Sequence, residues 1–429
     1  MSEQLNLQQW LERIEQLHPE EIELGLDRVR SVADRLGLNL KRLKTVVIGG
    51  TNGKGSTVAC LQAIALKHGL SVGSYTSPHL LAFNERIQLD GQAVCDATLC
   101  RAFTAVDQAR DGVLLTYFEF TTLAAFYCFD LYQPHLCLLE VGLGGRLDAV
   151  NIIDADVTVV TNIELDHEAW LGNDRDSIAR EKAGIFRAGV PAICGELSPP
   201  DTLRQVAREK QAHWVQNGVD FSFHQDGEGW CWRGCDANGK PMELCAEGRL
   251  ALHQDAVAAA IQAFCLVIPD PQPQLIALAL GSLVLPGRCQ TLVTKHGTIV
   301  LDVAHNPAAA GRLASALADT RNEGRTHILF AMLADKRVEQ FADILAAQVD
   351  GDWWLPQLQV QRAAAAVDVA ALLAAKEQAG NVHLMPSVED ALAQGLARMD
   401  PRDRLVVTGS FYTVAEAMHS LLQRGIKFE

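Results

Sequence analysis

The segment at residues 45–69 constrains the fold of this chain most, because a strand pattern, a glycine-rich turn and a helix pattern follow one another there without a gap. The β-branched run TVVI predicts a buried strand, GGTNGKGS forms the turn, and the apolar helical pattern after it ends at Gly69. Strands that alternate with helices are typical of α/β folds, in which helices cover both faces of a mainly parallel sheet. We therefore expect an α/β fold built on a parallel sheet.

The same alternation continues along the first part of the chain. Predicted strands there include Leu136 to Val141, Val157 to Thr161 and Val190 to Cys194, and predicted helices include Phe120 to Leu131 and Ser177 to Phe186. The first fifty residues are predicted to be mainly helical. From Trp214 to Glu247, by contrast, short β-rich runs are separated by Asp-Gly and Asn-Gly pairs, which are typical of hairpins. This stretch is predicted to be a β insertion.

A second series of strands and helices begins at Thr298. Its predicted strands are TIVLDV, HILFAML, DWWLPQL, NVHLM and RLVVTGS, and the segment at 285–297 is predicted to be a hinge. A chain of 429 residues has room for two or three domains at about 150 residues each. We expect a parallel-sheet domain with the glycine-rich turn and the β insertion at 1–288, and a smaller, Rossmann-like α/β domain at 289–429.

The charge of the chain excludes several classes of partner. The sequence has 37 Lys and Arg against 52 Asp and Glu, a net charge of -15, which disfavours binding to nucleic acids and anionic membranes. Its most apolar long stretch, Leu114 to Tyr132, contains Glu119 and Asp130 and is too polar for a membrane span, and the first residues do not resemble a signal peptide. A cytoplasmic protein without membrane or nucleic-acid partners is expected. If it handles anions, its positive charge must be concentrated in one place.

The 11 cysteines form no CxxC pair, and a chain of this length does not need disulfides for stability, so reduced thiols are predicted. The tightest group is Cys231, Cys235 and Cys245, in a stretch that also contains His224. A zinc site is one interpretation of this group. Small, half-buried residues in the β insertion are the favoured alternative.

The glycine-rich turn supplies the concentrated positive site. Glycines at 49, 50, 53 and 55 let backbone N–H groups surround phosphate oxygens, the helix N-terminus adds its positive end, and Lys54 adds a full charge. The strict GxxxxGK[ST] pattern is not met, because Ile48 takes the first glycine position and Gly55 follows the lysine. A chance glycine turn is the alternative, but the strand and helix context favours binding of a nucleoside triphosphate, and hence a P-loop ATPase domain. Since Gly55 displaces the usual magnesium-binding hydroxyl, the metal needs ligands from elsewhere.

Three candidate magnesium ligands follow neighbouring strands, where open α/β sheets bind their ligands. They are Ser77 before Pro78, Glu140 at the end of an apolar strand and His167. Oxygen ligands suit Mg²⁺, and a carboxylate at the end of an apolar strand is costly unless it is paired. A turn serine and a capping or core histidine remain the alternatives for Ser77 and His167.

Lys182 is the least expected polar residue, because it falls within the helical stripe of Ile178, Ile185 and Phe186. It is interpreted either as a lysine whose stem passes along the apolar face or as a buried amine with a depressed pKa. Nearby, VGLGGRLDAVN is not a dinucleotide fingerprint, since Leu147 replaces the third glycine, and fits a glycine loop that carries Arg146 and Asp148.

In the second domain, polar residues follow the strand TIVLDV. These are Asp302, His305 and Asn306, and Arg288 lies in the predicted hinge. They either contact the nucleotide or are simply a polar strand end and a linker arginine.

Together these motifs resemble one family. GTNGKGST, SYTSPHL, TYFEF, EVGLGGRLDAVN, LDHEAWLG, EKAGIFR, LPGR and LDVAHNP occur in the order found in the folylpolyglutamate synthase/dihydrofolate synthase family of the Mur ligase superfamily. Only 48 residues precede Gly49, too few for the additional N-terminal domain of the peptidoglycan ligases, which favours the folate branch.

The resemblance implies roles for individual residues. It implies that the nucleotide is contacted by Thr51, Asn52, Gly53, Lys54, Gly55, Ser56, Arg288 and Asp302. It also implies that two magnesium ions are bound through Ser77, Glu140 and His167. It makes Lys182 the lysine that CO2 converts to a carbamate and places His305 near the transferred phosphate, so that the catalytic set is Lys54, Lys182 and His305. Asp255 stands where the family usually has a nucleotide-contacting asparagine, which puts that contact in doubt because an ionised carboxylate cannot donate.

The resemblance also implies a substrate site and an activity. The pterin-binding segments correspond to Glu23, Leu24 and Gly25, to Thr116, Tyr117, Phe118 and Glu119, and to Leu147, Asp148 and Ala149. The implied reaction is ATP-dependent ligation of L-glutamate to dihydropteroate and to tetrahydrofolate forms. Independently of the resemblance, a monomer is expected. Extension of preformed folates alone, or a P-loop ATPase without ligase activity, remain the alternatives.

Overall fold

The computed structural model describes residues 5–428 except 21, 251, 321 and 375–380. The chain divides into two compact units, Met1–Leu283 and Val284–Glu429, which we call the N-terminal and C-terminal units. Both are α/β, as the sequence predicts.

Helices of the N-terminal unit are α1 (Leu7–Glu15), α2 (Asp27–Leu36), α3 (Lys54–Lys67), α4 (Asp96–Arg110), α5 (Tyr117–Tyr132), α6 (Glu168–Leu171), α7 (Arg175–Lys182), α8 (Asp201–Glu209), α9 (Gln254–Val267) and α10 (Pro273–Gly281). None of the helices in the described part of either unit is both long and apolar enough to cross a membrane.

Strands of this unit are β1 (Thr45–Gly49), β2 (Val72–Tyr75), β3 (Ile87–Leu89), β4 (Gln92–Ala93), β5 (Leu136–Glu140), β6 (Val157–Val160), β7 (Pro191–Cys194), β8 (His213–Gln216), β9 (Ser222–Gln225), β10 (Gly229–Cys235) and β11 (Pro241–Glu247). In the described residues the main sheet has the order β4-β3-β2-β5-β1-β6-β7-β8, parallel from β2 to β8 with an antiparallel edge. β1 lies at its centre, and every residue of β1 and β5 is buried, which explains their unbroken apolar runs.

The predicted hairpins form a separate antiparallel sheet of β9, β10 and β11. Alternate residues are buried, among them Trp230, Trp232 and Leu244. The predicted insertion begins too early, however, because residues 213–216 form β8 and extend the main parallel sheet.

The prediction of reduced thiols is wrong for one pair, because Cys231 and Cys245 form a disulfide. They are directly opposed in the β10–β11 register, with Cα atoms 4.1 Å apart, a proximity that spacing in the sequence does not reveal. The other nine cysteines are free, and most are buried or half-buried.

The C-terminal unit consists of strands β12 (Gln290–Thr294), β13 (Gly297–Leu301), β14 (Thr326–Phe330), β15 (Trp353–Pro356), β16 (Val382–Met385) and β17 (Arg404–Thr408), with helices α11 (Pro307–Asp319), α12 (Val338–Ala346), α13 (Ala366–Ala374), α14 (Val388–Arg398) and α15 (Phe411–Gln423). Its described strands form one sheet in the order β12-β13-β17-β14-β15-β16, parallel apart from β12. The segment at 285–297, predicted as a hinge, therefore contains an edge strand, β12, which pairs with β13.

Candidate active site

Polar residues from separate segments converge on the carboxyl edge of the N-terminal sheet. The glycine turn follows β1, Ser77 follows β2, Glu140 ends β5, and His167 lies in the segment after β6. These strands are neighbours in the order β2-β5-β1-β6 and run parallel, so their carboxyl ends share one edge. This is the edge at which open α/β sheets bind ligands.

Two glycines shape the turn between β1 and α3. Gly50 has φ 133°, and a Cβ atom there would lie 1.9 Å from the hydroxyl oxygen of Thr161, so only glycine fits. Gly53 has φ 83° and precedes α3 without any side-chain capping bond within the described chain. The first backbone amides of α3 and the positive end of its dipole therefore suit an anion.

The segment after β6 holds this turn in place. Thr51 N donates to the Asn162 carbonyl at 3.0 Å, and Asn52 N donates to the Asn162 side-chain oxygen at 2.8 Å. The Thr161 hydroxyl donates to the Asn52 carbonyl at 2.6 Å. Asn162 is not predicted from the sequence, where its signal is its place two residues after β6.

Lys54 Nζ donates to the carbonyl oxygens of Gly50 and Thr51, both at 3.2 Å. The ammonium group is thus positioned over the turn by its own backbone. A phosphate bound at the turn would meet this charge directly.

The structure brings two of the three candidate magnesium ligands together. Ser77 N donates to Glu140 Oε2 at 3.2 Å, and Glu140 is buried. His167 is exposed, has φ 53°, and donates its backbone N–H to Asp166 Oδ1 at 2.8 Å. Within the described residues no group of three or more His, Cys, Asp or Glu side chains could hold a metal ion. A magnesium site here would therefore combine the Glu140 carboxylate and the Ser77 hydroxyl with water or substrate oxygens, a sparse set of the kind that Mg²⁺ tolerates.

Lys182 is buried, with 4% of its surface exposed, so the predicted inward orientation is confirmed. α7 ends at this residue and a 3-10 turn follows, so the helix predicted to reach Phe186 is too long. The Lys182 pKa is lowered to about 7, chiefly by burial and also by the positive charge of Lys54, and the carboxylates of Asp166 and Asp148 oppose the shift. A substantial fraction of Lys182 is therefore a neutral amine near neutral pH.

The glycine loop that follows β5 packs tightly against the end of α7. A Cβ atom on Gly184 would lie 2.3 Å from Arg146 Cα, so only glycine permits this approach. Arg146 N donates to the Glu181 carbonyl at 2.8 Å, and the Arg146 guanidinium pairs with the Glu181 carboxylate at 2.9 Å. The loop and Lys182 are thus held in one local structure.

Asp148 lies inside this loop rather than at its surface. Its carboxylate accepts the backbone N–H groups of Leu143 at 2.8 Å and Val150 at 2.9 Å. Burial raises its pKa to about 6, although these bonds and the charge of Lys54 act in the opposite direction.

Two of the three segments expected to bind the pterin, 23–25 and 116–119, are joined by an arginine that the sequence does not reveal. Thr116 caps α5 and Glu119 completes the capping box, and both are buried. Arg28 donates to Glu119 Oε1 at 2.9 Å and also pairs with Glu23. The ring of Phe118 occupies the space beside Gly142, where a Cβ would meet it at 2.5 Å.

The remaining residues of this set lie close to these anchors. Leu24 and Gly25 adjoin Glu23, Tyr117 begins α5 and stacks with Arg86, and Leu147 and Ala149 flank Asp148.

Asp255 lies at the start of α9, beside the glycine turn. Its carboxylate accepts a hydrogen bond from the Asn217 side chain at 3.2 Å. The next residue, Ala256, has its Cβ 3.8 Å from the position of a Cβ on Gly53. The departure from the family asparagine therefore falls at the edge of the candidate phosphate site.

In the C-terminal unit, the aspartate and the histidine after β13 lie in different local settings. The Asp302 carboxylate accepts the backbone N–H groups of Cys289 and Ala304, each at 2.8 Å, and so fixes the chain around it. His305 Nδ1 lies 2.9 Å from the Val303 carbonyl.

His305 and Arg288 share an aromatic neighbour, Phe411. The guanidinium of Arg288 lies 5.3 Å from the Phe411 ring centroid, and the His305 ring lies 6.0 Å from it. The structure thus groups the predicted residues Arg288 and His305, and Phe411 is a contact that sequence spacing does not suggest.

The comparisons agree first on a class of protein. Residues 287–411 match the family model described as Mur ligase, glutamate ligase domain. A curated relative from Escherichia coli, dihydrofolate synthase/folylpolyglutamate synthase, is 39% identical over 96% of this chain and 94% of its own length. The chain therefore belongs to the dihydrofolate synthase/folylpolyglutamate synthase family, as the motifs predict.

Solved structures agree in fold over nearly the whole chain. The E. coli FolC complex with DHPP and ADP has a TM-score of 0.92 and 38% identity, covering 98% of this chain and 99% of its own. A bifunctional folylpolyglutamate synthase/dihydrofolate synthase with Mn, AMPPNP and L-glutamate bound has a TM-score of 0.89 and 39% identity, covering 97% of this chain and 98% of its own.

Proposed function

We propose that this protein is an ATP-dependent amide ligase that joins the α-amino group of L-glutamate to dihydropteroate, giving dihydrofolate, and to reduced folates, giving polyglutamates. The observation that carries the proposal is the glycine turn with Lys54, an anion site at the carboxyl edge of the sheet in a member of this family. Relatives whose structures contain ADP, AMPPNP, DHPP or L-glutamate support it.

The proposed reaction activates a carboxylate, which is a poor acyl donor, with ATP. A carboxylate oxygen of the pterin substrate attacks the γ-phosphorus of ATP, which gives an acyl phosphate and ADP. The glutamate amine then attacks the acyl carbon, and the tetrahedral intermediate expels phosphate. Lys54 and the amides of the turn stabilise the charge of the phosphoryl group in transfer. The proposed nucleotide contacts are Thr51, Asn52, Gly53, Gly55, Ser56, Asp255, Arg288 and Asp302, with His305 beside the transferred phosphate.

The residues at the sheet edge suit a hard cation. The Glu140 carboxylate and the Ser77 hydroxyl provide oxygen ligands and His167 a nitrogen, and Mg²⁺ bound there would neutralise phosphate charge. We propose that Lys182 carries a carbamate, formed when its neutral amine bonds to the carbon of CO2 and releases a proton. The lowered pKa of Lys182 supports this, since the neutral amine is the reactive form.

The pterin is proposed to contact the segments at 23–25, 116–119 and 147–149, and the glutamate ligase function is assigned to 289–429. A cytoplasmic, monomeric enzyme remains our expectation, and gel filtration of the purified chain tests its oligomeric state.

The ligase proposal is tested by incubating the protein with ATP, Mg²⁺ and glutamate, with dihydropteroate or a tetrahydrofolate supplied separately, and by mass analysis of the products. One added glutamyl unit on dihydropteroate and further units on the folate are expected. Extension of the folate alone limits the enzyme to polyglutamylation. ADP release that does not require a pterin carboxylate and glutamate contradicts the ligase proposal.

A further inference from the structure

Two motifs of the sequence, EKAGIFR and EVGLGGRLDAVN, end in polar residues, Arg187 and Asn151, that the structure joins. Arg187 donates from Nη1 to three successive carbonyl oxygens at 3.0 to 3.3 Å, those of Gly184, Ile185 and Phe186. These carbonyls lie at the end of the 3-10 turn that directly follows Lys182. Because the last carbonyls of a helical turn have no partners inside the turn and carry partial negative charge, a guanidinium stabilises them.

A second nitrogen of the same guanidinium holds the end of the glycine loop. Arg187 Nη2 donates to the Asn151 side-chain oxygen at 2.9 Å, to the Asn151 carbonyl at 3.1 Å and to the Ile153 carbonyl at 3.2 Å. Asn151 is buried and belongs to the 3-10 turn Ala149–Ile152. Since the donors of a guanidinium form a rigid, planar fork, Arg187 sets the separation of the two turns.

Asn151 adds another link between these segments. Its Nδ2 donates to the Arg146 carbonyl at 3.0 Å and to the Gly184 carbonyl at 3.3 Å. The two backbones are in close contact, since a Cβ atom on Gly145 would lie 2.9 Å from the Lys182 carbonyl oxygen. We call Arg187 and Asn151 the clamp, because they hold the glycine loop against the backbone of Lys182.

The clamp also fixes a charge near the Lys182 amine. Asp148 caps the turn that contains Asn151, and its carboxylate opposes the lowering of the Lys182 pKa. The interaction between two charges depends on their distance, and water and salt screen it little when both groups are buried. The separation that the clamp sets therefore affects how readily the neutral amine forms.

We propose that Arg187 and Asn151 are positioning residues for Lys182, which hold its amine in the orientation that reacts with CO2. In this reaction the amine nitrogen bonds to the carbon of CO2, and one proton leaves the nitrogen. The clamp acts through the backbone that follows Lys182 and through the glycine loop beside it. This inference rests on the proposed function, in which Lys182 carries a carbamate.

The test measures carbamate formation on the full-length chain, titrated at constant pH with isotope-labelled sodium bicarbonate. The carbamate carbon is followed by NMR as the signal that is absent from Lys182→Ala. Arg187→Ala should need about tenfold more bicarbonate than the wild type for half of the full signal, because misplacement of a reacting group costs rate and affinity. Arg187→Lys keeps the charge but not the fork, so its half-saturating concentration should lie between the two.

Ligation should follow the same dependence. The bicarbonate concentration for half-maximal ligation should rise about tenfold in Arg187→Ala, and saturating bicarbonate should restore the rate. A general loss of folded structure would not be rescued in this way. If Arg187→Ala does not fold, Asn151→Ala decides, since it leaves the guanidinium in place and should shift both titrations in the same direction.

Asp154→Asn is the matched control, because Asp154 is an exposed partner of the same guanidinium outside the clamp, 2.7 Å from Nε. It should form the carbamate like the wild type. Wild-type bicarbonate dependence of the carbamate signal in the folded clamp variant would overturn the inference. In that case the wild type still ligates glutamate and only the clamp is refuted, whereas a wild type that shows neither ligation nor carbamate refutes the proposed function.

Discussion

The side chain of Lys182 is buried and is influenced by a second positive charge, that of Lys54. Burial and charge repulsion both disfavour the charged form of Lys182. The carboxylates of Asp148 and Asp166 offset only part of this cost, so the pKa falls to about 7. A lysine that merely covered an apolar face would extend its amine to water and keep its charge. The buried position therefore favours a chemical role over the alternative left open by the sequence.

We expect Lys182→Ala to lose most ligation, by about 100-fold or more, while it still binds ATP. The reason is that the glycine turn and Lys54 remain, whereas the group proposed to carry the carbamate is removed. Steady-state ligation rates and ATP binding by calorimetry provide the measurement. Arg180→Ala is the control, because Arg180 is an exposed residue of the same helix. Near-wild-type ligation in Lys182→Ala would contradict the proposed role of Lys182.

The pH dependence of stability tests the lowered pKa of Lys182 independently of activity. Between pH 7 and 10.5 the unfolded chain binds a proton on Lys182 that the folded chain largely lacks, so stability should rise with pH across this window. The difference in unfolding free energy between wild type and Lys182→Met should rise by up to about 1.4 kcal/mol per pH unit. Denaturant unfolding in CO2-depleted buffer measures it, and a difference that is flat with pH contradicts the lowered pKa.

The sequence predicts those secondary structure elements that a local residue pattern determines. β1 and β5 are recognisable because central parallel strands are apolar on both faces, and the hairpins of β9–β11 because of their turn residues. β12 and β8 are missed because their pairing partners, rather than their own composition, make them strands.

The candidate site likewise contains some residues that the sequence predicts and others that it does not. Glu140 is predictable because it ends a recognisable strand, and Lys54 because it lies in the glycine turn between a recognisable strand and a recognisable helix. Asn162, Arg28 and Phe411 are not, because each acts through a contact with residues distant in sequence, such as the bond between Arg28 and Glu119. The Cys231–Cys245 disulfide is likewise set by strand register.

The segment between β6 and α6 that anchors the glycine turn is itself braced by an ion pair. Ile163 N donates to Glu196 Oε2 at 3.0 Å, Arg175 Nε donates to the Ile163 carbonyl at 2.9 Å, and the Arg175 guanidinium pairs with Glu196. Ile163 follows Asn162, whose carbonyl and side-chain oxygen hold the turn. We infer that Glu196 and Arg175 position the phosphate site without touching it.

Removing this brace should therefore weaken nucleotide binding. We expect Glu196→Ala to raise the dissociation constant for ATP by about tenfold, since a bond from a backbone amide to a charged acceptor is lost. Glu196→Gln retains one oxygen acceptor, so its dissociation constant for ATP should lie between those of the wild type and Glu196→Ala. Glu243→Gln removes an exposed ion pair with Arg233 elsewhere and serves as the control. Unchanged ATP affinity in Glu196→Ala by calorimetry would show that the turn does not need the brace.

At the scale of the whole molecule, the net charge of -15 opposes the approach of the proposed substrates, which are all anions. Long-range attraction therefore cannot account for their capture. Short-range contacts remain, in particular the amides at the start of α3 and the ammonium of Lys54 fixed over the turn. These act within a few ångströms and are little affected by salt.

The rate of nucleotide association should therefore not fall as ionic strength rises. As ionic strength rises from about 0.01 M to about 0.15 M, the screening length falls from about 30 Å to about 8 Å, so repulsion between the acidic protein and ATP weakens. The association rate constant of a fluorescent ATP analogue should stay level or rise over this range, measured by stopped flow at constant free Mg²⁺. An uncharged adenosine analogue, which feels no repulsion, is the control and should show no change. A steep fall of the association rate constant of the ATP analogue with rising salt would mean that a basic surface attracts the nucleotide over a distance. Short-range contacts at the glycine turn would then be insufficient to explain binding.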